Sequence, residues 1–150
     1  MIRDDIKTAL VVAMKARDAT STAAIRLIQS SIKNRDIELR TASSQPDDDL
    51  LITEVLQKMI KQRRESIEMY EKGNRPELAA AEATEVTVIE RFLPQQMNED
   101  EAKAAVDALA SELGAESVKD MGRVMAALKE RFAGKMDMAR ASGLVKARLA

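Results

Sequence analysis

The sequence predicts an all-α protein, with a four-helix amino-terminal part followed by a small carboxy-terminal three-helix bundle. Apolar residues recur at intervals of three and four along almost the whole chain, which is the period of an amphipathic helix. Five glycines and three prolines in 150 residues leave few interruptions, so the helices should be long. With only two phenylalanines and one tyrosine, the core must consist of leucine, isoleucine, valine, methionine and alanine.

Two helices are predicted before a polar loop at residues 40–46. The first covers residues 2–17, where Ile2, Ile6, Leu10 and Met14 repeat at helical spacing. A polar break at residues 18–22 separates it from a second helix that ends near Leu39. The predicted apolar face of the second helix consists of Ala24, Leu27, Ile28, Ser31 and Ile32.

Two more helices complete the first part. Three aspartates at residues 47–49 precede a continuous apolar stripe from Ile52 to Tyr70, and acidic residues favour a helix amino terminus. Gly73 ends this third helix, and Pro76 is suited to the first position of the fourth, where a missing N–H has no effect. The fourth helix runs to about Phe92 and begins with a small-residue surface of Ala79, Ala80, Ala81 and Ala83.

Pro94 is the predicted boundary between a helical domain of residues 1–93 and a three-helix domain of residues 95–150. The fifth helix begins after Asn98, has Glu101 in the capping-box position and ends before a left-handed Gly114. The seventh helix begins near Asp137. The sixth helix begins at Ser117, and its predicted apolar face is Val118, Met121, Met125, Leu128 and Phe132. No convincing internal repeat is visible.

The composition excludes several classes of function. No cysteine is present, which excludes disulfides and thiolate sites, and no histidine is present as a general base or metal ligand. We predict no catalytic residue, no metal site and no cofactor. No signal-like or membrane-spanning apolar run occurs, so no membrane partner is expected and a cytoplasmic location is predicted.

Positive charge collects at the end of the chain. From Val118 onward there are eight basic and three acidic residues, a net charge of +5, although the whole chain has a net charge of −1. Residues 95–117 carry six acids and one base, a net charge of −5. Phosphate contact is mainly lysine and arginine electrostatics, so the basic side of this dipolar bundle is a candidate RNA surface.

The predicted RNA-binding residues are Lys119, Arg123, Lys129, Lys135, Arg140, Lys146 and Arg148. An ordinary solvated face explains the same charges equally well. No aromatic residues are interleaved with these bases, so stacking on single-stranded bases is not expected.

Six residues are assigned structural roles, namely Arg63, Glu82, Glu85, Pro94, Asp120 and Gly122. Arg63 lies on the apolar stripe of the third helix and needs an acidic partner, for which Glu82 and Glu85 are the candidates. Asp120, three residues after Ser117, is interpreted as a capping acid. Gly122 borders the apolar stripe of the sixth helix, where it would let a helix or a phosphate backbone come close.

The whole chain resembles the YqeY-like family, whose tail domain is shared with the B subunit of tRNA-dependent amidotransferases (GatB). The resemblance is carried by residues 61–96, by DMGRVMAALK at 120–129 and by GKMDMARASGLVKARL at 134–149. It implies a helical first part, a three-helix tail and contact with tRNA, which the amidotransferase tail helps to hold. The motif positions that transfer are Asp120, Gly122, Arg123, Lys135 and Lys146.

The resemblance also brings a label of carbon–nitrogen ligase activity with glutamine as amido-nitrogen donor. Amidotransfer requires a glutaminase site and a separate metal-dependent site, neither of which this sequence contains. We therefore expect a non-catalytic module that binds tRNA or a tRNA-handling protein complex, with no DNA partner. The alternatives are a protein-interaction or assembly factor without RNA contact, and an accessory subunit in a glutamine-dependent amidotransferase.

Overall fold

The computed structural model describes residues 1–94, 96–132 and 134–150. Seven α-helices and no strand occur in these residues, so the prediction of an all-α protein is confirmed. The Cα positions divide the chain into two compact units, Met1–Leu93 and Pro94–Ala150. Gln95, the first residue of the predicted second domain, lies outside the described residues.

The first unit contains α1 (Ile2–Lys15), α2 (Ala19–Glu38), α3 (Asp48–Lys72) and α4 (Pro76–Glu90), with a short 3-10 turn at Leu39–Thr41. Helix α2 contacts the other three helices, and α3 packs along α4. The shared core is aliphatic, and its largest fully buried side chains are Ile6, Ile25, Ile28, Ile52, Leu56, Val88 and Ile89.

The turn between α1 and α2 is shorter than predicted. Asp18 is the amino-terminal cap of α2, and its carboxylate accepts a hydrogen bond from the Ser21 N–H at 3.0 Å. The predicted polar break therefore forms the first turn of α2, because a capping side chain replaces the missing helical partner. The backbone reverses at Arg17, which has a left-handed φ of 57°.

The second unit contains α5 (Glu99–Glu112), α6 (Met121–Phe132) and α7 (Met138–Leu149), and a 3-10 turn at Val118–Asp120 precedes α6. Each helix contacts the other two. Their common core includes Val106, Leu109, Val124, Leu128 and Val145. Gly114 has a φ of 64°, which confirms the predicted left-handed end of α5.

Three predicted core positions are wrong. Leu27, Met14 and Val118 are 44%, 50% and 48% exposed. Ile25 is buried in α2 and Val124 is buried in α6, although neither was on the predicted apolar faces. The buried side of each helix is rotated toward its actual neighbours, which periodicity in a single helix does not specify.

Among the described residues, no helix combines the length and apolar character that crossing a bilayer requires.

Candidate nucleic-acid interface

The four arginines of α6 and α7 all form ion pairs with acidic side chains. Arg131 donates to both carboxylate oxygens of Glu112, at 2.7 and 2.8 Å. The other pairs are Arg123 with Asp120 at 2.9 Å, Arg148 with Asp107 at 3.2 Å and Arg140 with Glu99 at 3.9 Å. Three of these four acids belong to α5, so the acidic helix compensates the arginine charge of the other two helices.

Two of these ion pairs shift the pKa of the groups involved. The Arg131 guanidinium lowers the pKa of the Glu112 carboxyl by a direct hydrogen bond, and the pKa of Arg131 is raised in return. Hydrogen bonds from the Glu116 N–H at 3.0 Å and from Arg123 lower the pKa of Asp120. The Asp120 carboxylate therefore caps the turn before α6 and also holds Arg123.

The lysines of the same region have no such partners. Lys119, Lys129, Lys135 and Lys146 are exposed, and none forms an ion pair with another described residue. Four of the seven predicted RNA-binding residues thus retain uncompensated charge, whereas Arg123, Arg140 and Arg148 do not. The sequence alone does not show which of these side chains face acids, because that depends on where α5 packs.

A repeated pattern explains this separation. Helices α6 and α7 each have 12 residues, and both carry methionine first, arginine third, lysine ninth and arginine eleventh. Residues two apart on a helix point in nearly opposite directions. Lys129 and Lys146 therefore point away from Arg131 and Arg148, and hence away from α5. The signal of this repeat in the sequence is four identities at a constant offset of 17 residues, which the prediction of no internal repeat overlooked.

The lysines of α6 and α7 share helix faces with small residues. Both helices contact α5 and each other. Residues three, four or seven positions apart share a helix face. Lys129 therefore lies on the same face of α6 as Gly122 and Ala126, and Lys146 lies on the same face of α7 as Ala139 and Gly143. We call these six residues, together with Lys119 and Lys135 in the turns before and after α6, the lysine surface.

The glycines of the lysine surface have no packing role within the unit. A β-carbon added at Gly122 or Gly143 would meet no atom within 4 Å. Glycine inside a helix is less favourable than alanine by about 1 kcal/mol. No contact within the described part of the unit compensates for this unfavourable contribution of glycine. Without side chains at these two positions, the surface is smooth and a ligand from outside can approach the backbone closely.

The residues assigned structural roles in the first unit are positioned by α3 and α4. Arg63 Nε donates to Glu85 Oε2 at 2.8 Å, and Arg63 also donates to the Met59 carbonyl at 3.3 Å. Glu82 is half-buried and forms no ion pair with a described residue. Pro94 is the first residue of the second unit.

The exposed lysines of the second unit can attract a negatively charged ligand. No group of three or more metal-ligating side chains occurs among the described residues. Phe132 is the single aromatic residue after Pro94, and it packs against the core. The lysine surface therefore presents four amino groups and small side chains, which suits phosphate groups better than exposed bases.

Known proteins resemble this chain along most of its length. The family model described as "Yqey-like protein" matches residues 3–149. Three relatives share the name Altered inheritance of mitochondria protein 41, mitochondrial. The one from Lachancea thermotolerans is 32% identical over 114 residues, covering 75% of this chain and 57% of the relative. The one from Saccharomyces cerevisiae is 29% identical over 125 residues, covering 79% and 64%. The one from Eremothecium gossypii is 32% identical over 110 residues, covering 72% and 58%.

The relatives correct one prediction. They are named as mitochondrial proteins, which contradicts the cytoplasmic location predicted from the sequence. A chain without cysteine forms no disulfide in any compartment, so its composition did not specify one. The chain spans 57–64% of the length of these relatives. Because the family model covers nearly every residue, the chain belongs to the family of Yqey-like proteins.

Proposed function

We propose that this protein is a non-catalytic module that binds tRNA through the lysine surface of its second unit. The observation that supports the proposal most directly is the separation of charge around α6 and α7. Three of the four arginines pair with acids of α5 and Arg123 pairs with Asp120, whereas none of the four lysines forms an ion pair with a described residue. A polyanion gains most from contact with uncompensated cations, because each neutralised phosphate releases counterions.

The proposal treats the two compact units as separate domains, a four-helix domain and a three-helix domain. It draws on the family resemblance for tRNA, since the names of the relatives refer to the inheritance of mitochondria and specify no ligand. If the carbon–nitrogen ligase label applies, it describes an accessory role within a larger complex. We propose no DNA partner.

Binding of bulk tRNA at several salt concentrations tests the proposal. Four phosphate contacts at the lysine surface contribute about −3 to −4 to the slope of log K against log salt concentration. The variant K129E/K146E should reduce the affinity at least tenfold and make the slope shallower by about 2. The matched control K58E/K61E reverses two exposed charges on α3 and should bind like the wild type.

Two results would refute the proposal. One is binding that does not depend on salt, because phosphate contacts require such dependence. The other is equal loss of binding in K129E/K146E and K58E/K61E, which would show that net charge alone matters. Equal competition by duplex DNA would limit the proposal to polyanions in general.

The second candidate function is a protein-interaction or assembly factor, for which α4 provides a specific observation. Ala80, Ala83, Thr84 and Thr87 form an exposed small-residue face. The two threonine hydroxyls donate to the carbonyls of Ala80 and Ala83, at 3.0 and 3.1 Å. Both hydroxyl groups therefore already donate a hydrogen bond within α4, and the face is smooth enough for a partner helix to pack on it.

A pull-down with and without nuclease distinguishes the two functions. Recovery of one stoichiometric protein that resists nuclease and is lost in the variant A83E favours the assembly factor. Recovery of RNA that is lost in K129E/K146E favours the tRNA-binding module.

A further inference from the structure

The groove between α1 and α2 contains two cavities in the first unit. The first has a volume of about 170 Å³ and lies near the start of α1, and its lining is Arg3, Ile6, Lys7, Gln29, Ile32, Lys33 and Asp36. The second has a volume of about 360 Å³ and lies at the turn, and its lining is Met14, Arg17, Ala19, Thr22, Ala23 and Arg26. Both cavities are lined by residues of α1, α2 and the turn between them, and together we call them the α1–α2 groove.

The groove carries an excess of positive charge. Five basic residues and a single acid, Asp36, line the two cavities. Arg3 binds both oxygens of Asp36 at 3.0 and 3.1 Å, and it also binds Asp48 at 2.7 Å. Asp36, the single acidic residue that lines the cavities, is therefore already paired with Arg3, which belongs to the same lining.

Four cations of the lining remain available. Lys7, Arg17, Arg26 and Lys33 form no ion pair within the described part of the chain. All four side chains are exposed and line the two shallow depressions, where their positive charges add to one another. The groove is thus prepared for a partner with negative charge.

The spacing of these cations fits an extended polyanion. Arg26 and Lys33 lie seven residues apart on α2, which places them on the same side about 10 Å apart at 1.5 Å per residue. One strand of a nucleic-acid duplex carries a phosphate every ~3.4 Å of axis. A strand along the groove would therefore present about three phosphates between the two cavities.

The floor of the first cavity favours a nucleic acid over an acidic protein helix. An amphipathic helix binds a groove mainly through apolar anchors. The apolar residues under the first cavity, Ile6 and Ile32, are 1% and 5% exposed, so they offer little surface to such anchors. Lys7 and Lys33 are the exposed charged side chains at this cavity.

We propose that the α1–α2 groove is a second docking surface for the sugar–phosphate backbone of RNA. Lys7 and Lys33 hold the backbone at the first cavity, and Arg17 and Arg26 hold it at the second. The choice of RNA rests on the proposed function, whereas the groove and its free cations are independent of the lysine surface. The full chain thus contacts RNA through both of its units.

Equilibrium binding of tRNA to the full chain tests this inference. Three variants with the same change in net charge are compared, namely K7E/K33E in the groove, K129E/K146E on the lysine surface and K58E/K61E as the control. We expect K7E/K33E to weaken binding about tenfold and to reduce the salt slope by about 2, because two phosphate contacts are lost. The control should match the wild type, and the groove and lysine-surface variants combined should bind more weakly than either.

The outcomes separate the inference from the proposed function. If K7E/K33E binds like the control while K129E/K146E loses binding, the groove is not an RNA surface and the proposed function stands. If only K7E/K33E loses binding, the groove is the RNA surface and the assignment of the lysine surface fails. If poly-glutamate competes for the groove as strongly as tRNA does, the choice of RNA as the ligand is overturned.

A second variant guards against misfolding. If K7E/K33E loses helical circular dichroism, K7Q/K33Q removes the same two cations without adding acids beside Asp36. The expected decrease in log K for tRNA is about half of that for K7E/K33E, because K7Q/K33Q removes positive charge without introducing repulsion. Wild-type affinity in a folded K7Q/K33Q would equally refute the inference.

Discussion

Replacement of Gly143 by alanine should stabilise the second unit. Gly143 lies inside α7, and a β-carbon there would meet no atom within 4 Å. The substitution removes backbone freedom from the unfolded chain without strain in the folded one. Alanine is favoured over glycine in a helix interior by about 1 kcal/mol, so the free energy of unfolding should rise by that amount.

Gly114→Ala provides a matched control with the opposite sign. A β-carbon at Gly114 also meets no atom within 4 Å, but its φ is +64°. The left-handed conformation costs a non-glycine residue about 1–2 kcal/mol, so this variant should be destabilised. Urea unfolding followed by circular dichroism measures both changes. A destabilised Gly143→Ala would refute the view that the exposed glycine has no role in packing.

The same substitution also tests the proposed contact with RNA. Gly143 belongs to the lysine surface, and glycine is common where a ligand approaches the backbone closely. We expect Gly143→Ala to weaken tRNA binding while it raises stability, which is a usual trade between the two properties. Unchanged binding would show that the backbone of α7 is not contacted.

Three further predictions concern the packing and ion pairs. Leu128→Ala removes a side chain with 0% exposure from the core of the second unit and should cost about 2–5 kcal/mol of stability. Glu85→Ala should destabilise the first unit by about 1–3 kcal/mol, because Arg63, with 15% of its side chain exposed, loses a charged hydrogen bond. Asp120→Asn should be less stable than the wild type at neutral pH, and the difference should disappear in acid. The folded-state pKa of Asp120 is lowered, so its contribution is complete above the unfolded pKa of about 3.9 and is lost as the pH falls through the folded value.

Each of these predictions has a control. The exposed Ala126→Ser in the same helix should change stability far less than Leu128→Ala. Arg63→Met added to Glu85→Ala should recover part of the loss, because it removes the unpaired charge; no recovery would contradict the role of the ion pair. Glu54→Gln, at an exposed carboxylate of α3, should follow the wild-type pH profile. An Asp120→Asn difference that does not decrease as the pH is lowered would contradict the ionic origin of its effect.

Much of the local structure could be predicted from residues close together in the chain. Asn98 was predicted to cap the fifth helix, and its side-chain oxygen accepts from the Glu101 N–H at 2.8 Å. Pro76 begins α4 and Gly73 follows the last residue of α3, as their backbone preferences require. These features depend on interactions within one helical turn, so the sequence contains all the information needed to predict them.

The exposed positions Met14 and Leu27 show where periodicity was insufficient. Both residues lie at helical spacing with true core residues, yet α1 and α2 leave them on the surface. A helix has room for an apolar stripe wider than the area that its neighbours cover. From the sequence, Glu82 and Glu85 are the two candidate partners of Arg63. The packing of α3 against α4 places Glu85 Oε2 2.8 Å from Arg63 Nε.

By itself, the sequence determined that the chain is helical, where most helices begin and end, and that basic charge collects after Val118. Only the tertiary structure decided which of those charges are available. Arg131 and Arg148 face the acids of α5, whereas Lys129 and Lys146 lie two residues away on the opposite sides of the same helices. Local periodicity sets the direction of each side chain around its helix axis, but the position of a neighbouring helix determines whether its charge is neutralised or remains free.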